Sequence, residues 1–319
     1  MSPNDRGLLP ARRHDPYLPA GRRVGQVSDA LHLLPFPFDG DGLTAVVSTR
    51  HGGVSAGPYD SLNLGGHVGD DPHAVTENRR RLAAAIGADR LTIADQRHPA
   101  TVAVVDAALA GRGHDGIADA AAAFPATDAL ITDVPGTALA ILVADCAPLV
   151  LFDPVRRAAG VVHSGRAGTL RGVAPRTIEA MTAAFGSSPA DLLVGIGPAI
   201  GAASYEIGAP EIAEVLTAFG TASQEIGQPE AAAVPAAFGP AANDPLAPGR
   251  PGHALLTPSR PGHALFNLTA AIRRQLTAAG VPAHHVHNLA IDTKTSTADF
   301  FSDRSARPCG RFAAIALLT

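Results

Sequence analysis

Short runs of apolar residues, many of them β-branched, recur along the chain, and most are bounded by Asp, Gly, Pro or Ser. Runs of this length between turn-forming residues are typical of β-strands. They are LTAVVSTR, TVAVVD, DALITD, ALAILVAD, PLVLFDP, AAGVVHS and DLLVGIG. Helical periodicity is rarer and is found in residues 74–87, in PRTIEAMTAAFG and in residues 266–280. The pattern predicts β-hairpins with a few helices rather than a doubly wound parallel sheet, which needs a helix after almost every strand.

Size and charge limit the classes of protein to which the chain can belong. Its 319 residues are enough for one large core or two modest ones. Hydrophobic residues make up 46% and charged residues 17%, as in soluble globular proteins. The net charge is -4, and no block rich in Lys and Arg with interleaved aromatic residues occurs. Nucleic acid is therefore not an expected partner.

Two scarce residue types exclude further classes. Lys294 is the only lysine and lies outside any Gly-rich loop, which excludes Schiff-base chemistry and Walker-type phosphate loops. Cys146 and Cys309 are the only cysteines, so a disulfide framework is not expected and a reducing cytoplasm fits best. The N-terminus has no apolar signal segment, and the longest apolar run, around residues 138–144, is far below spanning length. We expect neither export nor membrane insertion.

Composition divides the chain into three kinds of segment. Residues 1–30 are rich in Pro, Gly and Arg without periodicity, which predicts a loosely ordered leader. Residues 31–319 are expected to form a single catalytic domain. Within that domain, residues 221–262 are rich in Ala, Pro and Gly and contain the echo RPGHALLTPS and RPGHALFNLT. The echo is too short for a solenoid repeat, so this segment is interpreted as a surface insertion between helices.

A cysteine and a histidine lie on two neighbouring candidate strands. Cys146 and His163 flank the turn DPVRRAAG, so antiparallel pairing of the two runs places their side chains close together. The alternative is that Cys146 is a small buried hydrophobe and His163 a satisfied core histidine. Adding His67, from the loop SLNLGGHVGDDP, completes a Cys-His-His set that suits zinc with an open fourth position. The set predicts a catalytic metal site.

Several further blocks resemble one known family. TRHGGVSAGPYDSLNLGGHVGDDPHAVTENR, TDALITD, VADCAPLVLFDP, GVVHSG, GIGPAIGAASYEIG and FFSDRSARPCGRFAAI follow one another as do the signatures of the YfiH/YlmD-type family. That family is variously called polyphenol oxidase (laccase domain), multicopper polyphenol oxidoreductase, and purine nucleoside phosphorylase/adenosine deaminase. The resemblance covers roughly residues 35–319 and rests on several independent motifs in order.

The resemblance implies a fold, a metal and an activity. The fold is a compact α/β (α+β-like) sandwich of mixed β-sheets flanked by helices. The ligand set falls on His67, Cys146 and His163, and the metal is zinc, with copper the less favoured choice. The implied activities are phosphorolysis of adenosine, inosine, guanosine and methylthioadenosine, and hydrolytic deamination of adenosine, so the partners are a purine nucleoside and phosphate.

Both reactions require further groups beside the metal. Deamination needs a carboxylate that carries protons, and Asp145, adjacent to Cys146, is the candidate. Because adjacent strand residues point to opposite faces, a purely structural role for Asp145 is the alternative. Phosphorolysis needs a cationic group that holds phosphate, and Arg50, in STRHGG, is the best placed.

Residues in the matching blocks are candidates for holding substrate. Asn63, Gln96 and Arg304 lie in SLNLG, ADQRH and FFSDR, and an exposed surface role is the alternative for each. Tyr205 is a candidate for stacking on a purine, with a core position as its alternative. Arg166 falls where many members have Trp, in HSGRAG, so one wall of the site is expected to differ. Asp292-Thr293 and Asp303-Arg304-Ser305 are further departures from the family's common residues.

Three other functions compete with nucleoside chemistry. Laccase activity requires a copper cluster, and the only His-X-His pair is His285 and His287, interpreted as a solvated loop. A peptidoglycan-precursor editing amidase would use the same metal site on an amide. A non-catalytic zinc-stabilised protein would need a fourth ligand, for which Cys309 is the residue to check.

Overall fold

A computed structural model describes residues 31–39, 42–220 and 254–319. Its strands are β1 (Leu33–Pro35), β2 (Leu43–Ser48), β3 (Leu91–Ile93), β4 (Val102–Val104), β5 (Ala129–Thr132), β6 (Ala138–Val143), β7 (Ala147–Asp153), β8 (Ala158–Ser164), β9 (Leu193–Ile196), β10 (Glu206–Gly208), β11 (Leu256–Arg260), β12 (His263–Phe266), β13 (Val286–Asn288) and β14 (Phe312–Leu318). Its α-helices are α1 (Pro72–Ala85), α2 (Ile117–Ala123), α3 (Arg166–Leu170), α4 (Val173–Phe185), α5 (Ala209–Phe219) and α6 (Leu268–Ala278).

Three sheets organise the described residues. A five-stranded sheet has the order β1-β2-β14-β6-β3, and a six-stranded sheet has the order β13-β9-β7-β8-β5-β4. A smaller sheet has the order β10-β12-β11. The pairs β3/β6, β4/β5 and β9/β13 are parallel and the other pairs are antiparallel. The predicted fold of mixed sheets with helices is confirmed, and no doubly wound sheet forms in the described chain.

The two large sheets pack face to face, with helices on their outer faces. Val47 of β2, Ile141 of β6 and Val150 of β7 belong to one buried cluster, which fills the space between the sheets. Helix α1 covers the outer face of the five-stranded sheet, and helices α4 and α6 cover that of the six-stranded sheet. Strands β6, β7, β8 and β14 are therefore buried along their whole length. This double burial explains why they are continuous apolar runs in the sequence.

Each of the seven predicted strands overlaps an observed strand, which accounts for seven of the fourteen strands described, and the three predicted helices are α1, α4 and α6. The predicted leader, residues 1–30, and most of the predicted insertion, residues 221–253, lie outside the described residues. The end of that insertion, residues 256–260, is strand β11, which pairs with β12. The second RPGH, residues 260–263, forms the hairpin turn between them. His287, predicted to lie in a solvated loop, instead lies on β13 with its ring near Phe38. None of the helices described is both long and apolar enough to span a bilayer.

A glycine allows the two large sheets to approach each other. An added Cβ at Gly195, on β9, would lie 2.4 Å from Cδ1 and 2.6 Å from Cε1 of Phe36, which follows β1 and is 2% exposed. The Phe36 ring therefore fills the space that a side chain at position 195 would occupy.

We expect Gly195→Ala to destabilise the protein by about 1–3 kcal/mol, because the added methyl group overpacks the layer between the sheets. Urea unfolding measures the change. Gly66→Ala is the matched control, since an added Cβ there meets only the end of the Arg79 side chain, at 3.7 Å. Equal stability of the two variants would show that Phe36 does not pack against β9.

Candidate functional site

The hairpin of β7 and β8 brings Cys146 and His163 together. Pro148 pairs with His163 across the two strands, and Cys146 immediately precedes β7. Cys146 lies close enough to His163 to raise the pKa of its imidazole. His163 is 6% exposed, whereas Cys146 is half-buried. The proximity that the sequence predicted for these two residues is therefore observed.

Asp128 fixes the orientation of the His163 ring. The Nδ1 of His163 lies 2.8 Å from Oδ1 of Asp128, and the backbone N–H of His163 donates to the Asp128 carbonyl at 2.7 Å. Asp128 is fully buried. Because Nδ1 is committed to this carboxylate, Nε2 is the ring nitrogen left to face Cys146. A carboxylate behind a histidine is a common arrangement at metal sites, where it sets the ring's tautomer and basicity.

The surroundings of His163 change its protonation. Burial by itself lowers the pKa of His163, but the charge of Cys146 and the hydrogen bonds to Asp128 and Cys146 outweigh burial and raise the pKa to about 9. The pKa of Asp128 is lowered, because hydrogen bonds and charge interactions with His163 and His98 outweigh the opposing effect of burial. The imidazole and the carboxylate therefore form a buried ion pair.

His98 is the third side chain at this place. Its ring centroid lies 4.6 Å from that of His163. His98, Asp128 and His163 form the group in the described chain whose potential ligand atoms all lie within 4.8 Å of one another. The Nδ1 of His98 is buried and has no hydrogen-bond partner in the described residues. Burial, and then the charge of His163, lower the pKa of His98, so its imidazole is held in the neutral form that binds metals.

Gly165 allows Cys146 and His98 to lie close to each other. An added Cβ at Gly165 would lie 2.5 Å from Sγ of Cys146 and 3.5 Å from Cε1 of His98, so both side chains border the space beside this glycine. A thiol, two imidazoles and a carboxylate behind one of them are a donor set that suits zinc. The residues present therefore fit the metal that the sequence predicts, with His98 as a ligand candidate.

His67 lies outside this group. Its side chain is exposed, and its pKa is lowered by burial of the ring and by the charges of Arg311, Arg79 and Arg97. The structure thus surrounds His67 with guanidinium groups, and its role as a metal ligand stays a prediction. Cys309, considered as a fourth ligand, is buried, and its Sγ accepts a hydrogen bond from Nη1 of Arg311 at 3.3 Å. Neither residue joins the His163 cluster.

Asp145 holds two loops together. Its Oδ1 accepts a hydrogen bond from Oγ1 of Thr293 at 2.6 Å, and its Oδ2 accepts one from the backbone N–H of Arg304 at 2.6 Å. Its backbone is in the left-handed region, with φ 84°. Both carboxylate oxygens are therefore used in fixing the segments around residues 293 and 304, which favours positioning over proton transfer.

Three other predicted site residues make structural hydrogen bonds. Arg50 donates to the carbonyls of Asp60 and Thr297 at 2.7 and 3.0 Å, and its guanidinium lies over the ring of Phe301. The buried side chain of Asn63 bonds the backbone of Gly65 and Arg311 and the carboxylate of Asp70. The amide of Gln96 bonds both backbone groups of Leu142 at 2.8 and 2.9 Å. These contacts favour roles in the architecture around the site.

Arg166, Tyr205 and Arg304 are brought together by the structure. They line one groove, in which the Arg304 guanidinium lies 5.2 Å from the centroid of the Tyr205 ring. Burial, and then the charge of Cys146, raise the pKa of Tyr205. Because the backbone N–H of Arg304 donates to Asp145, the neighbour of Cys146 in the chain, this wall adjoins the Cys146 site.

The unusual Asp292 also has a defined role. Its carboxylate accepts hydrogen bonds from the backbone N–H of Gly201 at 2.9 Å, from Oγ of Ser204 at 2.5 Å and from the backbone N–H of Lys294 at 3.0 Å. It fixes the turn that leads into Tyr205, so this departure from the common family residue serves the wall of the groove.

Comparison with known proteins agrees with this architecture. Residues 44–319 match the family model described as multi-copper polyphenol oxidoreductase laccase. The chain belongs to this family. Within this laccase-domain family, a purine nucleoside phosphorylase of Mycobacterium tuberculosis is 36% identical over 274 residues, covering 85% of this chain and 90% of the relative. The purine nucleoside phosphorylase YlmD of Geobacillus stearothermophilus is 34% identical over 268 residues, covering 83% and 86%.

Solved structures of laccase-domain relatives share the fold. The crystal structure of YlmD from Geobacillus stearothermophilus has a TM-score of 0.73 at 32% identity and covers 87% of this chain and 92% of that chain. YfiH of Bacillus licheniformis has a TM-score of 0.73 at 28% identity and covers 89% and 99%. The YfiH/YlmD-type resemblance inferred from the sequence is confirmed.

Sequence reasoning missed His98 and Asp128. His98 lies two residues after Gln96, inside the block ADQRH that was considered only for its glutamine. Asp128 begins the run DALITD and looks like an ordinary residue that bounds a strand. A signal was present in both places, since a His or Asp next to a strand end within a matching block is where functional side chains concentrate.

We expect Asp128→Asn to lower the pKa of His163 from about 9 towards the ordinary 6.5, because the amide cannot stabilise a charged imidazole. In metal-free wild-type protein, the stability that protonated His163 provides is complete below about pH 6.5 and is lost as the pH rises through about 9. NMR titration of the imidazole measures both proteins. Asp115→Asn, which removes an exposed carboxylate, is the control. An unchanged His163 pKa in Asp128→Asn would contradict the assigned contact.

Proposed function

We propose that this protein is a zinc-dependent purine nucleoside enzyme. It catalyses phosphorolysis of adenosine, inosine, guanosine and methylthioadenosine, and hydrolytic deamination of adenosine. The observations that carry the proposal are the cluster of His98 and His163 with Asp128 behind His163, and the position of the Cys146 sulfur, which lies with Cε1 of His98 beside Gly165. The names of relatives that match most of the chain supply the substrate class.

The metal is held by one sulfur and two imidazoles in this proposal. Cys146 and His163 are the ligands that the sequence predicted, and His98 replaces His67 as the third. When bound, zinc supplies a Lewis acid that activates water and polarises the substrate. Three protein ligands leave the fourth position free, which is the arrangement of catalytic sites. Asp128 keeps Nε2 of His163 aimed at the metal position.

The remaining groups bind and orient the substrate. Tyr205 provides an aromatic contact for the purine, and Arg304 and Arg166 provide positive charge for the phosphate. In phosphorolysis, a phosphate oxygen bonds the anomeric carbon while the glycosidic bond breaks and its electron pair leaves with the purine. Asp145 acts by holding the backbone of Arg304 in place.

Two variants test which histidine completes the metal site. We expect His98→Ala to reduce the zinc content of purified protein to well below one equivalent, and His67→Ala to retain it, because only His98 lies in the His163 cluster. Elemental analysis after dialysis against limiting zinc measures the content. The opposite order would restore His67 as the ligand.

Product analysis tests the activity itself. We expect zinc-loaded protein with adenosine to form adenine only when phosphate is present, and inosine without phosphate. Cys146→Ala should reduce both rates by about a hundredfold or more, because removing a metal ligand costs more than removing a group that only hydrogen-bonds to a ligand. Chromatography of the products measures the rates.

Cys309→Ala is the matched control for the cysteine change, because its sulfur lies outside the cluster. Absence of both products from folded, zinc-loaded protein would refute nucleoside chemistry. The peptidoglycan precursor would then be the substrate to try. Oxidation of a phenol only after copper loading would instead support the laccase description, since copper also binds such N/S donors.

A further inference from the structure

A groove of about 380 Å³, within the range of small-molecule sites, lies beside Tyr205. We call it the arginine groove, because Arg166, Arg260 and Arg304 line it together with His263 and Glu206. The guanidinium groups come from three separate parts of the chain: the start of α3, the end of β11 and the loop after residue 300. The fold therefore gathers cations here from segments far apart in sequence.

The carboxylates of the arginine groove are already engaged. Both oxygens of Glu206 accept hydrogen bonds from Arg260, at 2.8 to 3.2 Å, and Oε1 also accepts one from Oγ of Ser259 at 2.9 Å. The carboxylate of Glu211 accepts a hydrogen bond from the backbone N–H of Gly208 at the start of α5. Because these acidic groups are used internally, the groove is not built to hold a metal cation.

Arg304 is the cation left without a carboxylate. Its Nη1 donates to the backbone carbonyl of Glu206 at 3.0 Å, and no acidic side chain among the described residues lies within ion-pair distance of it. Its backbone is fixed by Asp145, and its guanidinium rests on the Tyr205 ring. A fixed guanidinium with free N–H groups is suited to binding an oxyanion through paired hydrogen bonds.

Two neighbours add donors beside Arg304. Arg166 is paired with Glu214 and lines the groove, and the pairing leaves further N–H groups of its guanidinium. The Nδ1 of His263 lies 3.0 Å from the carbonyl of Pro261, so Nδ1 carries the proton and Nε2 is left for a ligand. Arg304 and Arg166 thus present hydrogen-bond donors to the groove, and His263 presents an acceptor. A protonated phosphate, which has acceptor oxygens and an O–H donor, fits this set.

We propose that the arginine groove binds a phosphate group, with Arg304 as its principal contact. The group is either the free phosphate that phosphorolysis consumes or the phosphoryl group of a nucleotide whose base and ribose extend towards Cys146. This assignment rests on the proposed nucleoside function. It moves the phosphate site from Arg50, whose guanidinium is held by Asp60, Thr297 and Phe301, to Arg304.

Calorimetric titration of the folded, zinc-loaded protein with inorganic phosphate, adenosine and adenosine 5′-monophosphate tests the proposal. Arg304→Gln should weaken binding of the phosphate-bearing ligand about tenfold or more, which is about 1.4 kcal/mol per tenfold, and leave adenosine binding within about twofold. The affinity of Arg304→Lys for the phosphate-bearing ligand should lie between those of wild type and Arg304→Gln, because the lysine ammonium is a point charge that cannot form the paired hydrogen bonds of a guanidinium. Arg80→Gln, on the exposed face of α1, is the control and should bind as wild type.

The ligands distinguish the two sources of phosphate. If the groove takes free phosphate, inorganic phosphate binds and loses affinity in Arg304→Gln. If it takes a nucleotide, the monophosphate binds more tightly than adenosine in wild type, and this advantage disappears in the variant. Wild-type protein that binds neither inorganic phosphate nor the monophosphate, or an Arg304→Gln variant that binds them as wild type does, would overturn the proposal.

Because the titration requires no turnover, its outcome is independent of the proposed function. Phosphate binding through Arg304 in a protein that transforms no nucleoside would refute the nucleoside activity alone. Nucleoside turnover, together with phosphate binding that is unchanged in Arg304→Gln, would refute the phosphate site in the arginine groove alone.

Discussion

The antiparallel pairing of β7 with β8 is the constraint on which the candidate site depends. Pro148 opposite His163 is the register that brings Cys146 to the His163 ring. A shift of one residue would turn every side chain of a strand to the other face, so the thiol and the imidazole would separate. Both strands are buried along their whole length, and this burial on two faces holds the register. The geometry of the site is therefore a consequence of the sandwich.

Three carboxylates hold loop segments in place beside the sheets. Asp128 connects β5 to the His163 ring, Asp145 fixes the segments around Thr293 and Arg304, and Asp292 fixes the turn before Tyr205. Asp145 and Asp292 each use both carboxylate oxygens as hydrogen-bond acceptors, which offsets the desolvation of the carboxylate. Asp128 uses Oδ1 on His163, and its buried Oδ2 has no partner among the described residues. The metal-site candidates and the arginine groove are thereby held next to each other across different loops.

The sequence predicted most of the sandwich because strands buried on both faces appear as continuous apolar runs. It did not predict β10, β11 and β12, of which β11 is largely exposed and has the mixed composition LTPSR. It also did not predict the short strands β1, β3 and β13 or the buried β14. Cys146 and His163 were found because a short turn joins their strands. His98 was not, because it lies in a loop with φ 66°, where no periodicity indicates where its side chain points.

A crystal structure of the zinc-loaded protein, with anomalous diffraction recorded on both sides of the zinc absorption edge, shows whether Cys146, His163 and His98 hold one metal ion. We expect one strong anomalous peak bonded to Sγ of Cys146 and to ring nitrogens of His163 and His98, with Asp128 still on Nδ1 of His163. A peak bonded to His67, or a fully occupied peak away from Cys146, would contradict this ligand set.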